Sequence, residues 1–166
     1  SEIGIGEGGT LILQPTRVVA RKGIEHAIEL VRRLNRPGTK LVVSHESSDE
    51  GNDYLERINE YAELMGVEVL FVADRIADQR GVAPDGTKLF TLDDVFSQAD
   101  LVTYPSEYEG FGNAFLEAIY HKVPVVCNRY TIYRTDIEPC GFRSIVFDGY
   151  LTETTVNEVR QVLDEE

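Results

Sequence analysis

Two stretches of this chain carry side chains suited to holding an anion beside a set of hydroxyls. The first, Pro15-Thr16-Arg17-Val18-Val19-Ala20-Arg21-Lys22-Gly23, sets Arg17 and Lys22 five positions apart on one loop. A guanidinium offers a planar fork that grips two oxygens, and an ammonium offers a compact point charge, so a diphosphate would find both. Each charge-assisted hydrogen bond contributes roughly 1.5–3 kcal/mol, and several acting together suffice for micromolar recognition. Taken alone, the loop also reads as ordinary exposed basic residues.

The second stretch is Pro105-Ser106-Glu107-Tyr108-Glu109-Gly110-Phe111-Gly112-Asn113-Ala114-Phe115-Leu116-Glu117-Ala118-Ile119. It follows a predicted strand, bends through two glycines and enters a predicted helix. Free amides near Gly112 and Asn113 can then face an anion with the helix dipole behind them. Glycine permits the close backbone approach this requires. Glu109 falls on the turn and Glu117 roughly a turn and a half into the helix, so the two carboxylates reach different parts of one ligand. A carboxylate suits sugar hydroxyls because it accepts two hydrogen bonds in fixed directions. The pair is too widely separated in the chain to be assumed a glycosidase acid and base.

Other candidates carry less. Gly4-Ile5-Gly6-Glu7-Gly8-Gly9 satisfies GxGxxG in form, but it precedes the first predicted strand instead of following one. Residues 1–9 therefore read as a flexible lead-in or linker, and 10–166 as one domain. Cys127 and Cys140 lack a CxxC spacing and fit reduced, structural thiols. His26, His45 and His121 are scattered without a HExxH pair, and no metal site is expected.

Composition narrows the partners. The 166 residues hold 29 acidic and 16 basic side chains, a net charge of −13, which argues against nucleic acid or an anionic membrane surface. Yet residues 1–40 hold seven basic against four acidic side chains, so a small anion would be met there. No run of about eighteen apolar residues and no basic start followed by an apolar stretch occurs, so neither a transmembrane helix nor a signal peptide is expected. The chain reads as cytoplasmic.

The elements that must position the two stretches alternate along the chain. Strands are predicted at Thr10–Gln14, Lys40–Ser44, Val67–Val72, Leu101–Tyr104, Val123–Cys127 and Ser144–Phe147. Helical stripes run through Ile24, Ala27, Ile28, Val31 and Leu34, and through Leu55, Ile58, Ala62 and Met65. Two further stripes take Phe115, Ala118 and Ile119, then Val156, Val159 and Leu163. Pro37-Gly38 and Gly66 are expected to end the first two helices, and Thr152–Thr155 to cap the last. This rhythm predicts an α/β fold, a Rossmann-like three-layer sandwich with about six parallel strands. The segment Arg75–Thr91 interrupts it, with Pro84-Asp85-Gly86 marking a turn of a small hairpin. Lying beyond a strand's carboxyl end, it either touches a ligand or is a plain surface insertion.

Together the two stretches resemble the donor-binding, C-terminal domain of retaining GT-B glycosyltransferases of family 4, which includes sucrose-phosphate synthases and many mannosyl- and glucosyltransferases. That family's E-x7-E motif is matched by Glu109 and Glu117 inside P-S-x-x-E-G-F-G-x-x-x-x-E-A. Its R-x4-K element is matched by Arg17 and Lys22, and Val123-Pro124-Val125-Val126 matches the strand after the motif helix. The resemblance covers roughly Thr10 to Gly149. It implies that Arg17 and Lys22 hold a nucleotide diphosphate and stabilise its departing charge. Glu109 would bind donor-sugar hydroxyls, Gly110, Phe111, Gly112 and Asn113 would contact phosphate and sugar, and Glu117 would bind the ribose. Arg75 and Ile76 would contact the base. The implied substrate is a UDP-, GDP- or ADP-hexose, with no cofactor; no DxD triplet occurs, in agreement with metal independence.

Three departures stand beside the match. His121-Lys122 replaces a common glycine after the motif helix. Cys127-Asn128-Arg129-Tyr130 and residues 131–142 replace a glycine-pair loop, whose work would fall to Asp136, Glu138 and Gly141. The resemblance also implies an acceptor-binding N-terminal domain that this chain lacks, so the chain alone should bind donor and transfer little. The rival readings are an epimerase-like GT-B domain and a non-catalytic Rossmann-like interaction module.

Overall fold

A strand with a continuous apolar run must be covered on both faces, and Thr10–Gln14 (β1) is such a strand: Leu11-Ile12-Leu13 lies between two polar ends, and all five residues are buried. The computed structural model describes residues 9–47, 52–109, 112–142 and 144–165. In chain order it contains β1, α1 (Ile24–Leu34), β2 (Thr39–Val43), α2 (Asn52–Met65), β3 (Val69–Phe71), β4 (Gly81–Val82), β5 (Lys88–Leu89), α3 (Leu92–Gln98) and β6 (Leu101–Tyr104). Then follow α4 (Asn113–Tyr120), β7 (Val125–Asn128), β8 (Ile145–Phe147) and α5 (Glu153–Asp164).

Six of these strands form one parallel sheet in the order β3-β2-β1-β6-β7-β8. Buried side chains of α1, α2 and α5 cover one face and those of α3 and α4 the other, giving the predicted three-layer sandwich. Ile12, Ile24, Ile28, Leu41 and Val156 are fully buried on the first face, and Phe96, Phe115 and Val102 on the second. Each such side chain contributes roughly 1.5–3 kcal/mol relative to leaving it in water. No helix among the described residues is long and apolar enough to cross a membrane.

The sheet order decides where the two sequence stretches meet. The chain leaves β1 toward β2 and β3, then returns to place β6 on the other side of β1, with Ile12 opposite Leu101 and Leu13 opposite Val102. The order therefore reverses between β1 and β6. In an open parallel sheet the connections leaving the carboxyl ends of such a pair part to opposite faces and open a crevice. Residues 15–23 and 105–112 are those connections.

Local signals account for most boundaries. α2 ends at Gly66 (φ +69°), whose N–H donates to Glu63 O while Val67 N–H donates to Ala62 O. Thr152 caps α5 by accepting from Thr155 N–H. α1 stops earlier than predicted: its C-cap is Asn35 (φ 47°), which donates to Val31 O and Arg32 O, while Gly38 (φ +78°) takes the left-handed conformation only in the turn that follows. Asparagine tolerates this conformation better than most side chains.

The expected hairpin is present as β4 and β5, with Asp85 accepting from Thr87 N–H in the turn. α3 is an addition to the predicted helices. Its sign in the sequence is Thr91 with Asp94 three residues on: the threonine hydroxyl accepts from Asp94 N–H and the aspartate accepts from Thr91 N–H. The lead-in expected at 1–9 lies outside the described residues, Gly9 excepted. So do Gly110 and Phe111.

Candidate functional site

The site begins with a buried amide at the end of β1. Gln14, completely buried, donates from Nε2 to Thr16 Oγ1 (3.1 Å) and to the Lys22 carbonyl (3.0 Å), and accepts from Thr103 Oγ1 of β6 (2.9 Å). One side chain thus fastens both ends of the basic loop to the strand pair beneath it. A buried amide with its groups satisfied holds its surroundings in one arrangement, because breaking its bonds leaves its own buried polar atoms without partners.

Backbone contacts close the two loops together. Glu107 N–H donates to the Arg21 carbonyl (2.9 Å). Gly23 (φ +65°) lies so close to the β6 loop that a Cβ there would stand 2.6 Å from the Pro105 carbonyl oxygen. Only glycine permits that approach and that φ together.

The crevice so formed has a volume of about 520 Å³ and is lined by Arg17, Lys22, His45, Tyr104, Glu109, Gly112 and Asn113, with Pro15, Thr16 and Ala114. Lys22 is only 8% exposed, and its ammonium pairs with Glu109 Oε1. Arg21 reaches the same oxygen at 3.4 Å and lies over the Tyr108 ring, 5.4 Å from its centre. A cation this deeply placed needs such a partner, since desolvating it alone costs several kcal/mol in order of magnitude. Arg17 is exposed at the rim and makes no ion pair among the described residues. Burial, then the charge of Glu109, pushes the Tyr104 hydroxyl well above its ordinary range, so it stays protonated as a donor.

Gly112 (φ +87°) is the N-cap of α4 and offers no side-chain cap. The first-turn amides of α4 are left facing the crevice, and no acidic side chain stands in that turn. A Cβ at Gly112 would lie 2.6 Å from the Tyr130 hydroxyl, so this side chain, together with the positive φ, favours glycine here.

The structure brings Arg17, Lys22, Glu109, Gly112 and Asn113 together and leaves three predicted residues elsewhere. Glu117 is half-buried on the second turn of α4, outside the lining, where burial and then Asp93 raise its carboxyl above the usual range and His121 opposes them. Arg75 stacks over Phe90 at 5.6 Å, its carbonyl accepting from Phe90 N–H, while Ile76 N–H donates to Ala73 O. Both sit at the foot of the β4-β5 hairpin. Asp136, Glu138 and Gly141 do not line the crevice either; Glu138 pairs with Arg129. Cys127 is buried and its thiol pushed up to about 12, chiefly by burial, which makes it inert; Cys140 is free and exposed.

Sequence reasoning missed Gln14, Arg21, Tyr104 and His45 as parts of this site. Arg21 was in plain view beside Lys22. The signal for Gln14 was a polar residue closing an otherwise apolar strand, and nothing local marked Tyr104 or His45.

Comparison with known proteins bears on the family and the fold. Residues 86–166 match the family model described as glycosyl transferases group 1. The mannosylglucosylglycerate synthase of Petrotoga mobilis is 35% identical over 161 residues, covering 87% of this chain and 37% of that protein. The chain thus spans little more than a third of the length of this curated relative. Among solved structures, WaaG, a glycosyltransferase involved in lipopolysaccharide biosynthesis, superposes with a TM-score of 0.68 at 25% identity, over 97% of this chain and 40% of WaaG. HepE of Anabaena, solved with UDP and glucose, superposes at 0.74 with 17% identity, over 95% of this chain and 39% of HepE, a likeness of fold. Sheet order and matches converge: the chain belongs to the group 1 glycosyltransferases.

Proposed function

We propose that the crevice between the ends of β1 and β6 binds the nucleotide-diphospho-sugar donor of a retaining, metal-independent hexosyltransferase. The observation that carries this reading is that Lys22, Arg17, Glu109 and the uncapped start of α4 line one crevice. Cations and amides suit the diphosphate, and a carboxylate beside them suits hydroxyls of the attached sugar. In the free crevice Lys22 and Glu109 satisfy each other. A donor with an anion next to a polyol gives each of them a partner of its own kind.

In this reading Arg17 and Lys22 hold the diphosphate. As the bond from the sugar's anomeric carbon to the phosphate oxygen breaks and the bond to the acceptor oxygen forms on the same face, they stabilise the charge gathering on the leaving nucleoside diphosphate. Glu109 orients the sugar through its hydroxyls. Gly110, Phe111, Gly112 and Asn113 contact phosphate and sugar, Glu117 takes the ribose, and Arg75 and Ile76 meet the base. The acceptor is held by a further, N-terminal domain outside this chain, so the chain alone binds donor and transfers little. That the named relative makes a product containing mannosyl and glucosyl groups supports a hexosyl donor.

Calorimetric titration of UDP, GDP and ADP and their hexose conjugates into the chain tests the reading. One nucleotide series should bind in the micromolar range, and Lys22→Ala and Arg17→Ala should each weaken it about tenfold or more. Binding that survives both substitutions overturns the site, and failure of every nucleotide to bind favours a non-catalytic interaction module.

A further inference from the structure

The donor reading gives no task to the histidine of the crevice. His45 follows the end of β2 and shares the lining with Arg17, Lys22 and Glu109. Its ring is held in place from behind: Nδ1 lies 2.9 Å from the hydroxyl of Ser44, which is itself 3% exposed. A hydroxyl is an unusually tolerant anchor for an imidazole. It donates to Nδ1 when that nitrogen is bare and accepts from it when it carries a proton, so the ring keeps its orientation in either charge state. The other nitrogen, Nε2, is left free of this anchor.

We propose that His45 is a further ligand-binding residue of the crevice, donating from Nε2 to the donor's diphosphate and taking up a proton from solvent as that anion binds. This rests on the nucleotide-sugar reading given above. The titratable and charged groups that share the lining with His45 are Lys22 and Arg17 from the loop after β1, Tyr104 of β6, whose hydroxyl stays protonated, and Glu109 from the loop after β6, while α4 contributes the uncharged Asn113. Glu46, next in the chain, is exposed. Glu109 is engaged by Lys22 and Arg21, so the field at the imidazole is set by its cations. Burial, then Lys22, then Arg17 hold His45 below the ordinary histidine range, and the free crevice keeps it neutral at neutral pH.

An arriving diphosphate cancels the repulsion from Lys22 and Arg17 and supplies acceptor oxygens. Both changes favour the imidazolium, so the bound-state pKa lies above the free one. By linkage, affinity is lowest above both values, rises as pH falls through the bound-state pKa, and levels off below the free-state pKa. Each unit of separation between the two corresponds to up to about a tenfold change in affinity.

The test uses UDP-glucose, GDP-mannose and ADP-glucose, whose diphosphates are esterified at both ends and do not titrate near neutrality. They are titrated calorimetrically into the chain at about pH 6 and about pH 8, each in two buffers of different ionisation enthalpy. The nucleotide-sugar that binds should do so about tenfold more tightly at the lower pH, with measurable proton uptake. His45→Gln should abolish the uptake, weakening binding about tenfold at the lower pH and about twofold at the higher one. In the unsubstituted chain, proton NMR should show the His45 ring titrating at higher pH with ligand than without. Binding with no uptake, uptake that persists in His45→Gln, or a ring pKa that does not move overturns the proposal and leaves the donor reading standing. Failure of all three nucleotide-sugars to bind overturns both.

Discussion

At the mouth of the crevice, Glu109 stands against two cations; a little over a turn into α4, Glu117 stands half-buried near Asp93. The two carboxylates belong to one motif and are separated by seven residues, yet their surroundings have opposite signs. Glu109 pairs with Lys22 and Arg21, and those cations come from the β1 loop, brought over by the sheet. Glu117 faces the α3–α4 seam, where burial and a neighbouring carboxylate disfavour its charge. One is an ion whose removal harms the fold, the other an ion that the fold would be more stable without. A ligand role for Glu117, as proposed above, would account for such a cost at a motif position.

Four substitutions break or sharpen this contrast. The largest effect is expected at Gly23, which lets the two loops meet. Gly23→Ala combines a positive φ with a Cβ 2.6 Å from the Pro105 carbonyl oxygen. It should lower stability by about 3 kcal/mol and disperse the cations around Glu109, read by urea unfolding and nucleotide titration. Next is Gln14→Leu, which strands the buried Lys22 carbonyl and leaves the Thr103 hydroxyl only its longer bond to the Leu13 carbonyl (3.4 Å). A loss of about 2–3 kcal/mol is expected, with weakened donor binding although Gln14 does not line the crevice.

Glu109→Gln leaves Lys22 without its counter-ion and should cost about 1–2 kcal/mol at neutral pH, less than a sealed pair would because the crevice is open to water. The smallest change, Glu117→Gln, carries the opposite sign. Its carboxyl is raised in the folded chain, so its contribution to stability is most favourable below the ordinary value of 4.5 and is lost as pH rises through the folded value. The amide should therefore stabilise the chain by about 0.5 kcal/mol at neutral pH, an advantage that disappears below about pH 4. Thermal unfolding across that range checks it. If Glu117 holds the ribose, the same variant binds nucleotide about tenfold more weakly while being more stable. A destabilised Glu117→Gln, or one that binds as before, would erase the distinction between the two carboxylates.

What could be read ahead of the structure follows a physical boundary. β1 and β6 lie where the apolar runs predict them because fully buried parallel strands are apolar at nearly every position. α3 escaped because seven residues with only Val95 and Phe96 buried make too short a stripe, leaving its capping pair as the sole sign. α1 ends ahead of Pro37-Gly38 because Asn35 can take the left-handed conformation of a C-cap three residues before Gly38 takes it in the turn.

The sequence by itself determined the parts whose meaning is local: the apolar strands and stripes, the Arg17 and Lys22 loop, the glycine turn into α4, and thereby the family. Backbone propensity and side-chain chemistry act within a few residues, so a short window holds the whole signal. Only the tertiary structure decided that Lys22 is buried and paired with Glu109, that Gln14 staples the loop, that Gly23 must clear Pro105, and that His45 joins the crevice. Each of these depends on which strands lie side by side. That neighbour relation, β2-β1-β6 in parallel, is fixed by burying both faces of one sheet at once and is written in no single stretch of the chain.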